Sequence, residues 1–271
     1  MTWSDIGFGI KDALNQSKIH MYQRCPKQFE YAHVKGLRMP PNLKLTVGHA
    51  VHKGVEVNYR QKLKTKRDCK KDVVLDATRD GFRSAIKTDG IKATKFEIGK
   101  SQDEAIIMAG MHYDSSAPSF QPIILPETQF SIRMPNSHRK LYGTIDLMAE
   151  YHRRSDAIVV SDTKTTRRAY DRKRVDVDIQ LTAYAYAAIH CIKQVPKLVI
   201  FDTIILKGNA AISDHLISTR NKADIERFVQ TFKAVERGID AGAFPPTDNE
   251  QTCSWCGFNS LCWKGRPWTK P

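Results

Sequence analysis

Residues 140–164 read KLYGTIDLMAEYHRRSDAIVVSDTK, and this stretch decides the fold. Its two apolar runs, 140–150 and 157–163, are rich in the β-branched and aliphatic residues that favour strands. The polar segment 151–156 between them has the length of a hairpin connection. The stretch therefore predicts two antiparallel strands joined as a hairpin.

Charged side chains stand where these strands should be buried. Asp146 lies in the first apolar run, and Asp162 and Lys164 close the second. An unpaired carboxylate in such a strand is costly, so we expect a charged partner. Asp162 and Lys164 are two residues apart and so face the same side of a strand. Two carboxylates from neighbouring strands can hold Mg²⁺, but a single Asp-x-Lys triplet also suits a buried ion pair.

The flanking sequence predicts the remaining elements. Two short helices broken at Pro26 are expected over 17–35, with Ser17 as the N-cap of the first. Further helices are expected over 46–64, 71–87, 101–113, 178–193 and 222–240. Further strands are expected over 123–133, 197–206 and 211–218, the last two joined by a turn at Gly208 and Asn209. This order predicts an α/β fold with a mixed sheet flanked by helices.

Composition narrows the class of partner. The chain has 43 Lys and Arg against 29 acidic residues, a net charge of +14, which favours a polyanion such as nucleic acid. Residues 60–71 carry a net charge of +6 and residues 164–174 a net charge of +5. The second stretch follows Lys164 directly, so we expect it at the mouth of the site. The absence of a long apolar run or a signal-like N-terminus predicts a cytoplasmic protein.

Three of the six cysteines are clustered. Cys253, Cys256 and Cys262 follow the spacing C-x₂-C-x₅-C. In a reducing compartment such a group predicts a metal site, for which both zinc and iron–sulfur use four thiolates. Cys25, which precedes Pro26, is the best fourth ligand, and Cys191 on an apolar helix is expected to be a buried thiol.

Two predicted helices carry polar pairs at helical spacing. Gly48 and His52 are four residues apart and therefore lie on one face of their helix. Gly48 permits close packing of this face against the sheet, and His52 could then reach the metal site. Gln180 and Tyr184 are also four apart and offer an amide and a phenol to one face. Taken singly, each pair is also explained by packing.

Together these residues resemble the RecB-like nucleases of the PD-(D/E)XK superfamily, and most closely the members with a cysteine-ligated [4Fe–4S] cluster, which include CRISPR-associated and phage-encoded exonucleases. The motifs occur in the family's order over residues 17–262. They are Ser17 to Cys25-Pro26 and Phe29, Gly48-x₃-His52, Gly143-x₂-Asp146, Asp162-x-Lys164, Gln180-x₃-Tyr184 and the closing cysteines.

The resemblance implies roles for individual residues. His52, Asp146 and Asp162, with the backbone carbonyl of Thr163, would bind Mg²⁺ or Mn²⁺, and Lys164 would activate a water. Other roles also follow: Glu127 as a further acidic metal residue, Cys25, Cys253, Cys256 and Cys262 as cluster ligands, and Gln180, Tyr184, Arg167, Arg168 and Lys173 as DNA contacts. The implied activity is an exonuclease that degrades single-stranded DNA or DNA ends.

The resemblance also implies one restriction-endonuclease-like domain over residues 1–271. Residues 17–115 would form its helical region, 120–220 its nuclease core and 221–271 its last helix and cysteine segment.

The cysteine segment suggests two other interpretations. An iron–sulfur DNA glycosylase would need a fourth cysteine seven positions before Cys253, where Pro246 stands. A non-catalytic nucleic-acid-binding protein with a structural Cys₄ site remains the alternative.

Overall fold

The computed structural model describes residues 12–39 and 42–262. Their helices are α1 Gln16–Arg24, α2 Pro26–Phe29, α3 Leu43–Thr65, α4 Lys71–Asp89, α5 Lys95–Met111, α6 Arg172–Val177, α7 Ile179–Ala187, α8 Lys222–Asp240, α9 Glu250–Ser254 and α10 Asn259–Cys262. The strands are β1 Ala13–Leu14, β2 Phe120–Arg133, β3 Lys140–Tyr151, β4 Ala157–Thr166, β5 Leu198–Lys207 and β6 Ala210–Ser218. In these residues no helix is long and apolar enough to cross a membrane.

The strands form a mixed six-stranded sheet. Its order is β1-β3-β4-β5-β6, and β2 also pairs with β3. The β3–β4 and β5–β6 pairs are antiparallel, whereas β4 runs parallel to β5. The predicted hairpin, the turn after β5 and the mixed α/β class are all confirmed.

Strand register places the acidic residues. The β3–β4 pairing extends to Leu147 opposite Ser161, so Asp146 and Asp162 are the next residues of the two strands. The parallel pairing continues past this point and sets Asp162 beside Phe201. The two carboxylates therefore leave neighbouring strands at the point where the antiparallel ladder ends.

Helix α3 packs its apolar stripe into the core. Val47, Val51 and Val55, spaced four apart, are all buried, as their periodicity predicts. A Cβ on Gly48 would lie 3.2 Å from the Thr165 Oγ1 atom on β4, so the glycine permits the close approach expected of it. This approach brings the His52 side of the helix to the end of the strand.

Two compact units can be distinguished by their internal contacts. One comprises Met1–Met39, Phe130–Gly143 and Lys222–Pro271; the other comprises Pro40–Gln129 and Thr144–Asn221. All four cysteines of the implied cluster belong to the first unit, and every implied catalytic residue belongs to the second. The expected division at residues 115–120 and 221 stays a prediction, and residues 1–11, 40–41 and 263–271 lie outside the described residues.

The structure corrects three local expectations. The N-cap of α1 is Asn15, whose side chain accepts a hydrogen bond from the Lys18 N–H, and Ser17 lies within the helix. Cys191 is exposed rather than buried, because the helix from α7 ends in a wider turn over Ala188–Ile192. The basic segment after β4 also forms a short helix, α6, that periodicity did not predict.

Candidate metal centre and cysteine cavity

The neighbouring strands β3 and β4 supply the central acidic groups. Asp162 is 1% exposed on β4, and the Lys164 Nζ atom lies 2.6 Å from its Oδ2 atom. The Thr163 N–H donates a hydrogen bond of 3.1 Å to Asp146 Oδ2. The backbone of β4 thus fixes the Asp146 carboxylate directly, which a sequence pattern of side chains does not reveal.

His52 and Glu127 complete an acidic group beside β3. The His52 Nδ1 atom lies 3.4 Å from Asp146 Oδ2 and 3.6 Å from Glu127 Oε1. Ligand atoms of these three residues all lie within 4.8 Å of one another, the one such group of three or more His, Cys, Asp or Glu among the described residues. We refer to His52, Glu127 and Asp146 as the acidic triad.

Glu127 adopts an unusual backbone conformation. Its φ is +40°, in the left-handed region that a residue with a Cβ rarely enters, and it follows Pro126, which has no N–H to donate to a ladder. Such local distortion of a strand re-aims a side chain, and strained residues cluster at functional sites. The conformation directs the carboxylate toward His52.

Helix α7 closes a hydrogen-bonded network over the carboxylates. Gln180 donates through Nε2 to Asp162 Oδ1, at 2.5 Å, and accepts from Lys164 Nζ, at 2.7 Å. Its Nε2 also lies 2.9 Å from the Tyr184 hydroxyl, which is 3.4 Å from an oxygen of Asp146 and 3.4 Å from one of Asp162. These hydrogen bonds link Asp162 to the acidic triad, although Asp162 does not belong to the triad. We call the acidic triad together with Asp162, Lys164, Gln180 and Tyr184 the acidic network.

The electrostatics of this network favour a cation. Burial raises the pKa of Asp162, and despite Lys164 it reaches about 7, partly because Asp146 is close. Burial also raises the pKa of Asp146. Burial alone would lower the pKa of His52, but Asp146 and Glu127 outweigh it and raise this pKa to about 9. The network thus carries more buried negative charge than Lys164 alone offsets.

The basic residues expected to contact DNA differ in their ion pairing and in their exposure to solvent. Arg167 pairs with Glu104 of α5, so part of its charge is already offset within the protein. The side chains of Arg168 and Lys173 are exposed. In the other basic stretch, Lys62 is buried and bonds to Asp68 and to the Ala117 carbonyl. That stretch is therefore partly structural.

The four clustered cysteines line one cavity. Cys25, Cys253, Cys256 and Cys262 surround it together with the aromatic rings of Tyr31 and Phe258 and with Asn259. The empty space among these residues, part of it open to solvent, is about 330 Å³. Burial, followed by the neighbouring cysteines, raises the pKa of Cys262, and burial also raises that of Cys256. Cys69 and Cys191 do not line this cavity.

The sequence matches one known protein family over almost its whole length. The profile of the PD-(D/E)XK nuclease superfamily matches residues 13–263, which span both the acidic network and the cysteine cavity. The chain belongs to the PD-(D/E)XK nuclease superfamily. Members of this superfamily are metal-dependent nucleases, so the substrate is a nucleic acid. The six-stranded mixed sheet with flanking helices agrees with the restriction-endonuclease-like fold.

Other comparisons add little. No curated protein matches this chain. Among solved structures, one described as "Crystal structure of SSO0001" shares 12% identity and covers 97% of this chain and 91% of its own, with a TM-score of 0.41. A similarity at this level carries no argument about function.

Proposed function

We propose that this protein is a Mg²⁺- or Mn²⁺-dependent deoxyribonuclease, an exonuclease acting on single-stranded DNA or DNA ends. One observation carries the proposal. His52, Glu127, Asp146, Asp162, Lys164, Gln180 and Tyr184 come from five elements and converge in one network. A structural ion pair such as Asp162–Lys164 would not require the acidic triad beside it.

The residues present suit a hard divalent cation. Asp146 and Glu127 offer carboxylate oxygens and His52 a ring nitrogen, all within 4.8 Å of one another, and Asp162 adjoins them. Mg²⁺ and Mn²⁺ favour carboxylate oxygens and retain waters for the substrate to replace. His52, Asp146 and Asp162, with the Thr163 carbonyl, would hold such an ion. When bound, it would polarise a phosphoryl oxygen and lower the pKa of a water.

Lys164 is placed to serve the reacting groups. Burial lowers its pKa, but Asp162 outweighs that effect and raises it, so the side chain stays an ammonium. Gln180 accepts one of its protons and holds the amine beside Asp162. A fixed ammonium there can neutralise a phosphate oxygen or orient an attacking water. Gln180 and Tyr184 then act as positioning residues. Gln180 is half-buried and would also contact the DNA backbone, whereas the Tyr184 side chain is 2% exposed and does not reach the surface for the DNA contact that the resemblance implies.

The exposed cations offer a path for the phosphates. Arg168 and Lys173 follow β4 directly and can bind a DNA backbone without reading its sequence. Arg167 would first have to exchange Glu104 for a phosphate. These contacts predict a strong dependence of DNA binding on salt concentration.

For the cysteine cavity we propose a [4Fe–4S] cluster. A tetrahedral zinc ion, with Zn–S bonds of ~2.3 Å, would bring its sulfurs to ~3.8 Å from one another. No three of the four sulfurs lie within 4.8 Å of one another in the described residues. A cluster spreads four thiolates over several irons and suits a wider cavity. Asn259, with a buried amide oxygen that has no hydrogen-bond partner, also lines the cavity.

A cleavage assay tests the proposal. Single- and double-stranded DNA labelled at either end would be incubated with Mg²⁺, Mn²⁺ or EDTA. We expect metal-dependent shortening from an end, faster on the single strand, and none in EDTA. Absence of cleavage with either metal, by protein that retains its cluster absorption, would favour a non-catalytic DNA-binding protein instead.

A further inference from the structure

A column of aromatic rings and cations leads away from Lys164. The Lys164 Nζ atom lies 5.4 Å from the centroid of the Phe201 ring. The Tyr170 ring follows, 5.8 Å from Phe201 between centroids and tilted by 33°. The Arg174 guanidinium lies 5.2 Å from the Tyr170 centroid. We call Lys164, Phe201, Tyr170 and Arg174 the aromatic column.

The inner end of the column is fixed and its outer end is accessible. Phe201 is 1% exposed and lies beside Asp162 in the β4–β5 register, so it is anchored to the strand that carries the metal carboxylate. Tyr170 lies between β4 and α6 and is half-buried, whereas Arg174 on α6 is exposed. The column therefore extends from the reacting groups to solvent.

Packing alone does not account for Tyr170. Tyrosine hydroxyls usually find a hydrogen-bond partner when they are buried, and even the half-buried Tyr113 donates to the Cys69 carbonyl. No hydrogen bond of the Tyr170 hydroxyl is found in the described part of the chain. Arg174, which has no carboxylate partner in the same residues, covers the ring instead. The exposed guanidinium of Arg174 and the half-buried ring of Tyr170 together offer a flat surface on which a base can stack.

We propose that Tyr170, with Arg174, is a stacking platform for an unpaired base next to the scissile phosphate, and so determines the preference for single-stranded DNA. This inference rests on the proposed nuclease function. Tyr170 would then distinguish single-stranded from double-stranded DNA, which contacts to phosphate do not.

The physical basis is the availability of the base faces. In a duplex each base is stacked between its neighbours, so that an aromatic side chain can reach a face only after unstacking. An unpaired base has a free face, and stacking on an aromatic side chain is tolerant of sequence. Phosphate contacts by Arg168 or Lys173 are made to either form of DNA. Selection for single strands must therefore come from a group such as Tyr170.

The test compares DNA with and without bases. Binding would be measured by fluorescence anisotropy in EDTA, with a short oligothymidylate and with an abasic oligonucleotide of the same length. We expect Tyr170→Ala to lower the affinity for oligothymidylate about tenfold, in the range known for one stacked base, and to leave the affinity for the abasic strand unchanged. Tyr170→Trp should retain wild-type affinity for both.

Matched variants keep the test decisive. Tyr170→Leu keeps an apolar contact with Phe201 if Tyr170→Ala is unstable, and it should show the same selective loss. Arg174→Ala should show a smaller selective loss, whereas Lys173→Ala, one residue away, should weaken both strands equally. Equal losses for both strands, or no loss, in the Tyr170 variants would overturn the platform. The nuclease proposal is tested separately by wild-type cleavage, so the two failures are distinguishable.

Discussion

The acidic network and the cysteine cavity, the two proposed metal sites, differ in how their side chains are held. In the network, oxygen and nitrogen ligands are bound to one another by hydrogen bonds and ion pairs, and Lys164 supplies a positive charge beside Asp162. In the cavity, the Cys253 thiol donates to the Thr247 carbonyl, and the four cysteines line a common space. The first region is organised by contacts within the fold, whereas the proposed cofactor would hold the four cysteines of the second together. Loss of a ligand should therefore affect chemistry in one and stability in the other.

The largest effect should follow from removal of Asp162 or Lys164. We expect Asp162→Ala to reduce the cleavage rate about 10³-fold or more, since the several kcal/mol of transition-state stabilisation supplied by a metal site would be lost. Lys164→Ala should reduce it about 10²–10⁴-fold. Single-turnover cleavage and thermal unfolding would both be measured, and neither variant should unfold at a much lower temperature. Asp103→Ala, on the exposed face of α5, is the matched control. Wild-type rates in either site variant would contradict the assignment.

The cysteine cavity should show the opposite pattern. Cys256→Ala should lower the unfolding temperature by about 5–10 °C and remove the absorption of the cluster, because a ligand that links distant parts of one unit is lost. Cys191→Ala, at an exposed position away from the cavity, should change neither quantity. Differential scanning fluorimetry and a visible spectrum suffice. A stable, coloured Cys256→Ala protein would remove this residue from the ligand set.

A smaller effect is expected in the pH dependence of metal binding by the acidic network. With no cation bound, the raised pKa values of His52 and Asp162, about 9 and about 7, mean that protons compete with the metal below these values. Affinity for Mn²⁺ should therefore rise about tenfold per pH unit between 7 and 9, and more steeply below 7. Calorimetric titration in two buffers of different ionisation enthalpy would also count the protons released. In His52→Gln the dependence between pH 7 and 9 should disappear; if it persists, another group is titrating.

Much of the fold could be predicted because its signals are local. The β3–β4 hairpin, the buried stripe of α3 and the turn at Gly208 each follow from a short run of residues. Several candidate site residues also have a local signal: Asp146 and Asp162 lie in neighbouring apolar strands, and His52 lies at helical spacing from Gly48. Glu127 has none, and the convergence of all these residues in one network, which depends on pairing between distant segments, was implied by the resemblance to a family.

Other features had no local signal. Glu127 enters the left-handed region without the glycine or asparagine that usually marks such a position. The contact between Tyr170 and Phe201 depends on the parallel register of β4 and β5, which the sequence does not specify. The apolar character of its helix predicts that Cys191 is buried. The helical conformation ends at Lys193, which has a φ of +60°, and Cys191 is exposed.

The central claim is that a divalent cation binds between His52, Asp146 and Asp162. Anomalous diffraction from a crystal soaked in Mn²⁺ tests it most directly, with data collected on wild-type protein and on Asp146→Ala. The account predicts a manganese peak beside these three side chains that is lost in the variant. Saturating Mn²⁺ that gives no peak there, or an equal peak in Asp146→Ala, would contradict it.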